Sequence, residues 1–99
     1  MPMNVEGRWG LAQSDGLTMN LSLKQEGTSF SGEAEFDIDG GRVTESVSGK
    51  VTDSDITFKR GTLHYIGTFA QGQLYGLSID FQDAGTQATW FTPKVFEPL

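Results

Sequence analysis

Residues 29–38 have the sequence SFSGEAEFDI, and this stretch decides the fold. Apolar or small residues occupy every second position from Phe30 to Ile38, while serine, glutamate and aspartate occupy the positions between them. A period of two places the two sets on opposite faces of a β-strand, because successive side chains point to opposite sides. The stretch therefore predicts an antiparallel strand with one face on a core and the other in water.

The same alternation recurs along the chain, and turn signals separate the alternating segments. Glycine accepts a positive φ and aspartate hydrogen-bonds its own turn backbone, so these residues mark the turns: Asp15-Gly16, Glu26-Gly27, Asp39-Gly40-Gly41, Asp53-Ser54, Gly61-Thr62, Gln71-Gly72 and Asp83-Ala84-Gly85. No window shows an apolar stripe of helical period, so no helix is predicted. Seven turns divide the chain into eight predicted strands: Val5–Ser14, Leu17–Gln25, Ser29–Ile38, Arg42–Thr52, Asp55–Arg60, Leu63–Ala70, Gln73–Gln82 and Thr86–Pro93.

The length and strand count together favour a single all-β domain over residues 1–99, an eight-stranded antiparallel up-and-down β-barrel. A chain of 99 residues forms one domain. Closure of the sheet removes the exposed edges that a flat meander would leave. A weak internal repeat places an apolar residue two positions before a glycine: Phe30-Ser31-Gly32, Val47-Ser48-Gly49, Tyr65-Ile66-Gly67 and Leu74-Tyr75-Gly76. Glycine inside a strand marks a bend or a close backbone approach, which a tightly coiled barrel needs.

Composition excludes several classes of function. The formal net charge is −6 and only 7 residues are Lys or Arg, so we expect no binding to nucleic acid or to anionic membranes. The chain has no cysteine and one histidine, and the short Asp-rich segments lack the full calcium-loop pattern, so we expect neither a metal nor another cofactor. The first ten residues show no signal-peptide pattern and no apolar run reaches membrane-spanning length, which predicts a soluble cytoplasmic protein.

Two short motifs resemble known barrels. Gly7-Arg8-Trp9 in the first strand resembles the Gly-x-Trp signature of the lipocalin and avidin group of calycin-type barrels. Thr89-Trp90, followed by Lys94, is similar to the closing strand of those proteins. The resemblance implies that Trp9 packs over the closed end of the barrel and that Lys94 lies on it. The biotin contacts of avidin cannot be placed on this sequence, so the resemblance does not imply biotin binding.

Up-and-down connectivity predicts which end of the barrel is open. With Trp9 at one rim, the other rim carries the turns at Gly16, Gly40, Gly61 and Gly85, and it becomes the candidate mouth. Alternation points a mostly apolar set of side chains inward near that mouth: Leu11, Gln13, Leu17, Met19, Phe36, Ile38, Val43, Glu45, Phe58, Arg60, Leu63 and Tyr65. From this set we predict the ligand-binding residues Gln13, Met19, Phe36, Glu45, Phe58, Arg60 and Tyr65.

Glu45 is the clearest anomaly in that set. It shares a face with Val43, Val47 and Val51, and a buried carboxylate without a partner costs several kcal/mol. Arg60 in the adjacent predicted strand lies within diagonal reach and is the expected partner. Alternatively, Glu45 sits at a frayed mouth and is solvated.

The seventh predicted strand has two plausible orientations. Its apolar set, Tyr75, Leu77, Ile79 and Phe81, is the expected core face because apolar stripes usually face the core. The glycine repeat instead points Leu74, Gly76, Ser78 and Asp80 inward. In that second orientation the aromatic face becomes a subunit interface, and a homodimer or higher homo-oligomer is expected.

Three functions are compatible with such a barrel. The leading hypothesis is binding of a small apolar ligand in the interior, since an eight-stranded barrel holds packed side chains or one small ligand. The first alternative is a protein-binding module or enzyme inhibitor that uses loops or the arm at residues 1–4. The second is a cofactor-free cyclase or isomerase in which Glu45 and Tyr65 orient a substrate. The single histidine, His64, is expected at the surface.

Overall fold

The structure is a computed structural model that describes residues 3–82 and 87–92. Eight antiparallel strands follow one another around a closed barrel in sequence order, and β8 returns to β1. This confirms the predicted fold class. The strands are β1 (Gly7–Gln13), β2 (Thr18–Glu26), β3 (Ser29–Ile38), β4 (Gly41–Val51), β5 (Asp55–Arg60), β6 (Leu63–Ala70), β7 (Gln73–Asp80) and β8 (Gln87–Phe91). Over the described ranges, no helix has the length and apolar content needed to cross a bilayer.

The predicted bounds of β3, β5 and β6 agree with the structure, and the other strands differ at their ends. The largest difference on the N-terminal side is at β1, which begins at Gly7 instead of Val5. The backbone N–H of Val5 donates to Oε1 of Gln25 at 2.8 Å rather than to a neighbouring strand. A side chain therefore takes the role of the sheet partner at the start of the chain.

The closed rim is covered by the segment that precedes β1. Val5 is fully buried, and Gln25 holds the segment by donating from Nε2 to the carbonyl of Met3 at 2.9 Å. Trp9, which the resemblance places over this end, is partly buried and packs against the core. Its Nε1 donates to the Val5 carbonyl at 3.1 Å. Lys94, its expected partner, lies outside the described residues.

The centre of the barrel is occupied by Trp90, which is 1% exposed. Its ring meets Phe58 and Tyr65 edge to face, at centroid distances of 5.7 and 6.2 Å. Its Nε1 donates to the carbonyl of Leu77 at 3.1 Å, so the buried polar atom is satisfied. The same core contains these buried apolar residues: Val5, Leu11, Met19, Leu21, Leu23, Phe30, Ala34, Phe36, Val47, Val51, Ile56 and Leu74.

The preferred orientation of the seventh strand was wrong. Leu74 and Ser78 are buried, whereas Tyr75, Leu77 and Phe81 are 48%, 52% and 66% exposed. The glycine on the inward face explains the outcome. A Cβ at Gly76 would overlap the carbonyl oxygen of Ile66 in β6, so only glycine fits there. With Gly76 inside, alternation places Tyr75, Leu77 and Phe81 outside.

Candidate functional site

Four polar side chains meet inside the barrel at the rim of the Gly16 and Gly61 turns. They are Gln13 at the end of β1, Glu45 in β4, Arg60 at the end of β5 and Tyr65 in β6. We call them the mouth cluster. Alternation points all four side chains inward. They lie close together because their positions on the four strands are near the same rim, although Gln13 and Tyr65 are 52 positions apart in sequence.

Arg60 and Glu45 form the charged part of the mouth cluster. Nη1 of Arg60 donates to Oε1 of Glu45 at 2.7 Å, the pairing that the sequence suggested. The Arg60 side chain is 7% exposed and that of Glu45 is 38% exposed, so the ion pair joins a buried cation to a carboxylate at the water boundary. Oε2 of Glu45 has no partner among the described residues, and a Cβ at Gly61 would lie 3.6 Å from it. This oxygen is available to a hydrogen-bond donor that arrives from outside.

A chain of hydrogen bonds continues from Arg60 across the mouth. Nε and Nη2 of Arg60 donate to the phenolic oxygen of Tyr65 at 3.3 and 3.2 Å. The Tyr65 hydroxyl donates to Oε1 of Gln13 at 2.7 Å, and Nε2 of Gln13 reaches the carboxylate of Asp15 at 3.3 Å. Burial raises the pKa of Tyr65 above its ordinary value, although the hydrogen bonds and charge of Arg60 oppose the rise. Tyr65 therefore remains a neutral donor at physiological pH.

An aromatic layer lies beneath the polar chain. The guanidinium carbon of Arg60 is 4.7 Å from the ring centre of Phe36, a cation–π distance. Phe58 stacks on Tyr65 with ring centres 4.5 Å apart and planes 3° apart. Met19, Phe36 and Phe58 are each 4% exposed or less. These three predicted ligand contacts are packed in the core and present almost no surface to a ligand.

Several apolar side chains lie beside the mouth cluster. Leu17, Val43 and Leu63 point inward near this rim and are partly buried against the core. Ile38 beside the Gly40 turn is 49% exposed. The mouth thus combines partly exposed aliphatic groups with one carboxylate oxygen, an arrangement suited to an amphipathic small molecule.

Sequence reasoning missed two contributors to the site. Asp15 was assigned only to a turn; it does accept from the backbone N–H of Leu17 at 3.1 Å, but it also holds the amide of Gln13. Trp90 meets the ring of Tyr65 edge to face; the sequence indicates it as a large core aromatic of the closing strand but not as a support of Tyr65. The two-residue spacing of Gln13 and Asp15 across a rim turn could have indicated the first contact.

Outside the mouth, little in the described ranges suggests metal or nucleophilic chemistry. The described side chains include no group of three or more metal-ligating residues that could hold an ion. His64 was expected at the surface; it lies on the outer face, partly covered by the ring of Phe81, whose centre is 3.9 Å from that of the imidazole.

No protein-family model matches the sequence, and no curated protein matches it. The fold and the site define the class of protein as a small closed antiparallel barrel with a calycin-like up-and-down strand order. That architecture is the part of the resemblance to lipocalins and avidins that the structure supports, and it is compatible with ligand binding.

Proposed function

We propose that the protein binds a small apolar molecule carrying a hydrogen-bond donor, and that it does so at the mouth. The observation that carries this proposal is Oε2 of Glu45, which has no partner within residues 3–82 and 87–92 and lies beside partly exposed apolar side chains. Its position is fixed because the other oxygen is bound to Arg60. A fixed acceptor loses little freedom on binding, so a donor placed there gains more net affinity.

The ligand's apolar part would lie over Leu17, Val43 and Leu63. These residues have surface left to bury, and each removed Å² of apolar surface contributes about 25 cal/mol. Arg60 and Tyr65 form the polar floor. The packed aromatic layer below them favours a small ligand on the rim over a large one deep inside the barrel.

Binding can be tested with the fluorescent probe N-phenyl-1-naphthylamine, which is neutral and apolar and has one N–H donor. We expect the probe to bind the parent protein, and Glu45→Gln to weaken binding by about 1–3 kcal/mol, the scale of a charged hydrogen bond. Glu33→Gln is the matched control, because Glu33 lies on the adjacent strand and points outward to water. Equal affinities of the two variants would refute the role of Glu45.

The binding position needs a separate measurement because the probe could also bind the exposed apolar surface of β7. Amide chemical shifts should change at Leu17, Val43 and Leu63 if the proposal holds. Changes confined to Ile66 and Leu77 would place the probe on the outer face and contradict a site at the mouth.

A second candidate function is protein binding, and the exposed apolar residues of β7 favour it. Tyr75 and Leu77 present about half of their surface to water, and exposed patches of this kind mark interaction sites. This function does not need the mouth cluster. If the protein acts by binding a partner through β7, Glu45→Gln should leave the affinity for that partner unchanged.

A further inference from the structure

The outer face of strands β6, β7 and β8 carries a continuous apolar patch. Ile66 pairs with Leu77 across β6 and β7, and Tyr75 pairs with Phe91 across β7 and β8. Direct cross-strand neighbours stand side by side on one face. Phe81 extends the patch at one end, where it stacks on His64. Each of Ile66, Tyr75, Leu77, Phe81 and Phe91 is between 48% and 66% exposed.

The patch has the area of the centre of a protein interface. Three aromatic and two aliphatic side chains at about half exposure present roughly 500 Å², because a whole aromatic side chain buries ~150–250 Å². A standard interface takes about 800 Å² from each partner, with an apolar centre and a polar rim. The neighbouring Thr68, Gln87 and Thr89 supply uncharged polar groups suited to that rim.

Charge distinguishes this face from the rest of the barrel. Among the described residues, the outward positions of β6, β7 and β8 include no Asp, Glu, Lys or Arg. The outward positions of strands β2 to β5 carry nine charged side chains: Lys24, Glu26, Glu33, Glu35, Asp37, Arg42, Lys50, Asp55 and Lys59.

We infer that the face of β6, β7 and β8 is the self-association surface of a two-fold symmetric dimer. Two copies of a chain with net charge −6 repel each other. Contact through the uncharged face buries no charged side chain from the outward positions of β6, β7 or β8, so no charge there has to be removed from water. A two-fold dimer is the commonest assembly and places the same patch on itself, so apolar surface of one copy is buried against apolar surface of the other.

The dimer is independent of the mouth. Its contact residues point outward, whereas Gln13, Glu45, Arg60 and Tyr65 point inward at one rim. Loss of the dimer would therefore leave probe binding at the mouth intact, and failure of the mouth proposal would leave the dimer intact.

Sedimentation velocity of the parent protein at micromolar concentration tests the inference. We expect a dimer, and we expect Leu77→Lys and Ile66→Lys each to weaken it by about tenfold or more, because each change buries an unpaired ammonium in both halves of the interface. Ile38→Lys is the matched control: Ile38 is 49% exposed but lies away from the patch, so this variant should dimerise like the parent.

Cysteine cross-linking keeps the test decisive if a lysine variant fails to fold. Since the chain has no cysteine, a single Leu77→Cys can be joined only to its copy in another molecule by a short bis-maleimide. We expect a covalent dimer from Leu77→Cys and none from Ile38→Cys. A monomeric parent protein, a dimer that folded Leu77→Lys leaves unchanged, or equal cross-linking of the two cysteine variants would each overturn the inference.

Discussion

Arg60 and Tyr65 lie on neighbouring strands, and the guanidinium donates two hydrogen bonds to one phenolic oxygen, from Nε at 3.3 Å and from Nη2 at 3.2 Å. Both acceptor sites of the hydroxyl are thus filled by a cation, and its proton is directed to Gln13. The arrangement fixes Arg60 over Phe36 and gives the mouth a rigid polar floor.

The hydroxyl of Tyr65 should lose its proton at a higher pH than an exposed tyrosine does. Burial raises the pKa of Tyr65 above 10.0, so its proton is lost at a higher pH in the folded than in the unfolded protein. This stabilisation is complete below pH 10.0 and is lost as the pH rises through the folded pKa, because the unfolded state ionises first. We expect the tyrosinate absorbance step removed by Tyr65→Phe to have its midpoint above 10.0. A midpoint at or below that value would contradict the buried, neutral hydroxyl.

The ion pair between Arg60 and Glu45 should show measurable coupling in a double-mutant cycle. Loss of the carboxylate leaves the guanidinium buried without its ionic partner. With Glu45→Ala and Arg60→Met, we expect a coupling of about 1–2 kcal/mol, below the upper range for contacting residues because Glu45 is 38% exposed and screened by water.

The control cycle uses an ion pair on the outer face. Arg42 and Glu35 are 3.0 Å apart, with side chains 57% and 37% exposed. Their coupling in urea unfolding should be smaller than that of the inner pair, because exposed pairs contribute little. A coupling energy of the outer pair equal to that of the inner pair would show that burial of Arg60 does not strengthen its ion pair with Glu45.

The residues that the sequence predicted well are those whose positions depend only on alternation. Period-two patterning predicted the inward faces of β4 and β5, and hence Glu45 beside Arg60. It failed for β7 because apolar content and glycine position disagreed there. The steric clash that any side chain at Gly76 would make with the backbone of β6 outweighs the free energy of burying Tyr75 and Leu77. That clash depends on how two paired strands coil, so the sequence of a single strand does not indicate it.

The closed end was predicted only in part for a similar reason. The Gly-x-Trp motif placed Trp9 at the correct rim. The complete burial of Val5 depends on Gln25, whose amide holds the backbone of the preceding segment from 20 residues away. Contacts between a side chain and a distant backbone carry no periodic signal, so neither alternation nor turn chemistry indicates them.

Gly76 and Gly10 should respond in opposite ways to alanine. A Cβ at Gly76 would overlap backbone of β6, whereas the nearest atom to a Cβ at Gly10 is 3.8 Å away. We expect Gly76→Ala to cost more than about 3 kcal/mol, above the usual cost of overpacking because backbone cannot rotate away. Gly10→Ala should change the stability by less than about 1 kcal/mol, as measured by urea unfolding. A tolerated Gly76→Ala would contradict the close approach of the β6 backbone to Gly76.

Trp90, rather than Trp9, should dominate the stability of the barrel. Trp90 is 1% exposed, contacts the rings of Phe58 and Tyr65, and its Nε1 donates to the carbonyl of Leu77. Trp90→Ala removes a full aromatic side chain from a closed core, which costs about 3–5 kcal/mol or prevents folding. Trp9 is partly exposed and loses less contact on truncation, so Trp9→Ala should cost about half as much. Trp90→Phe keeps the ring packing and should recover most of the loss, which separates packing from the hydrogen bond to Leu77. Urea unfolding of the three variants measures these differences. If Trp9→Ala proved as costly as Trp90→Ala, the closed rim rather than the centre would hold the barrel together.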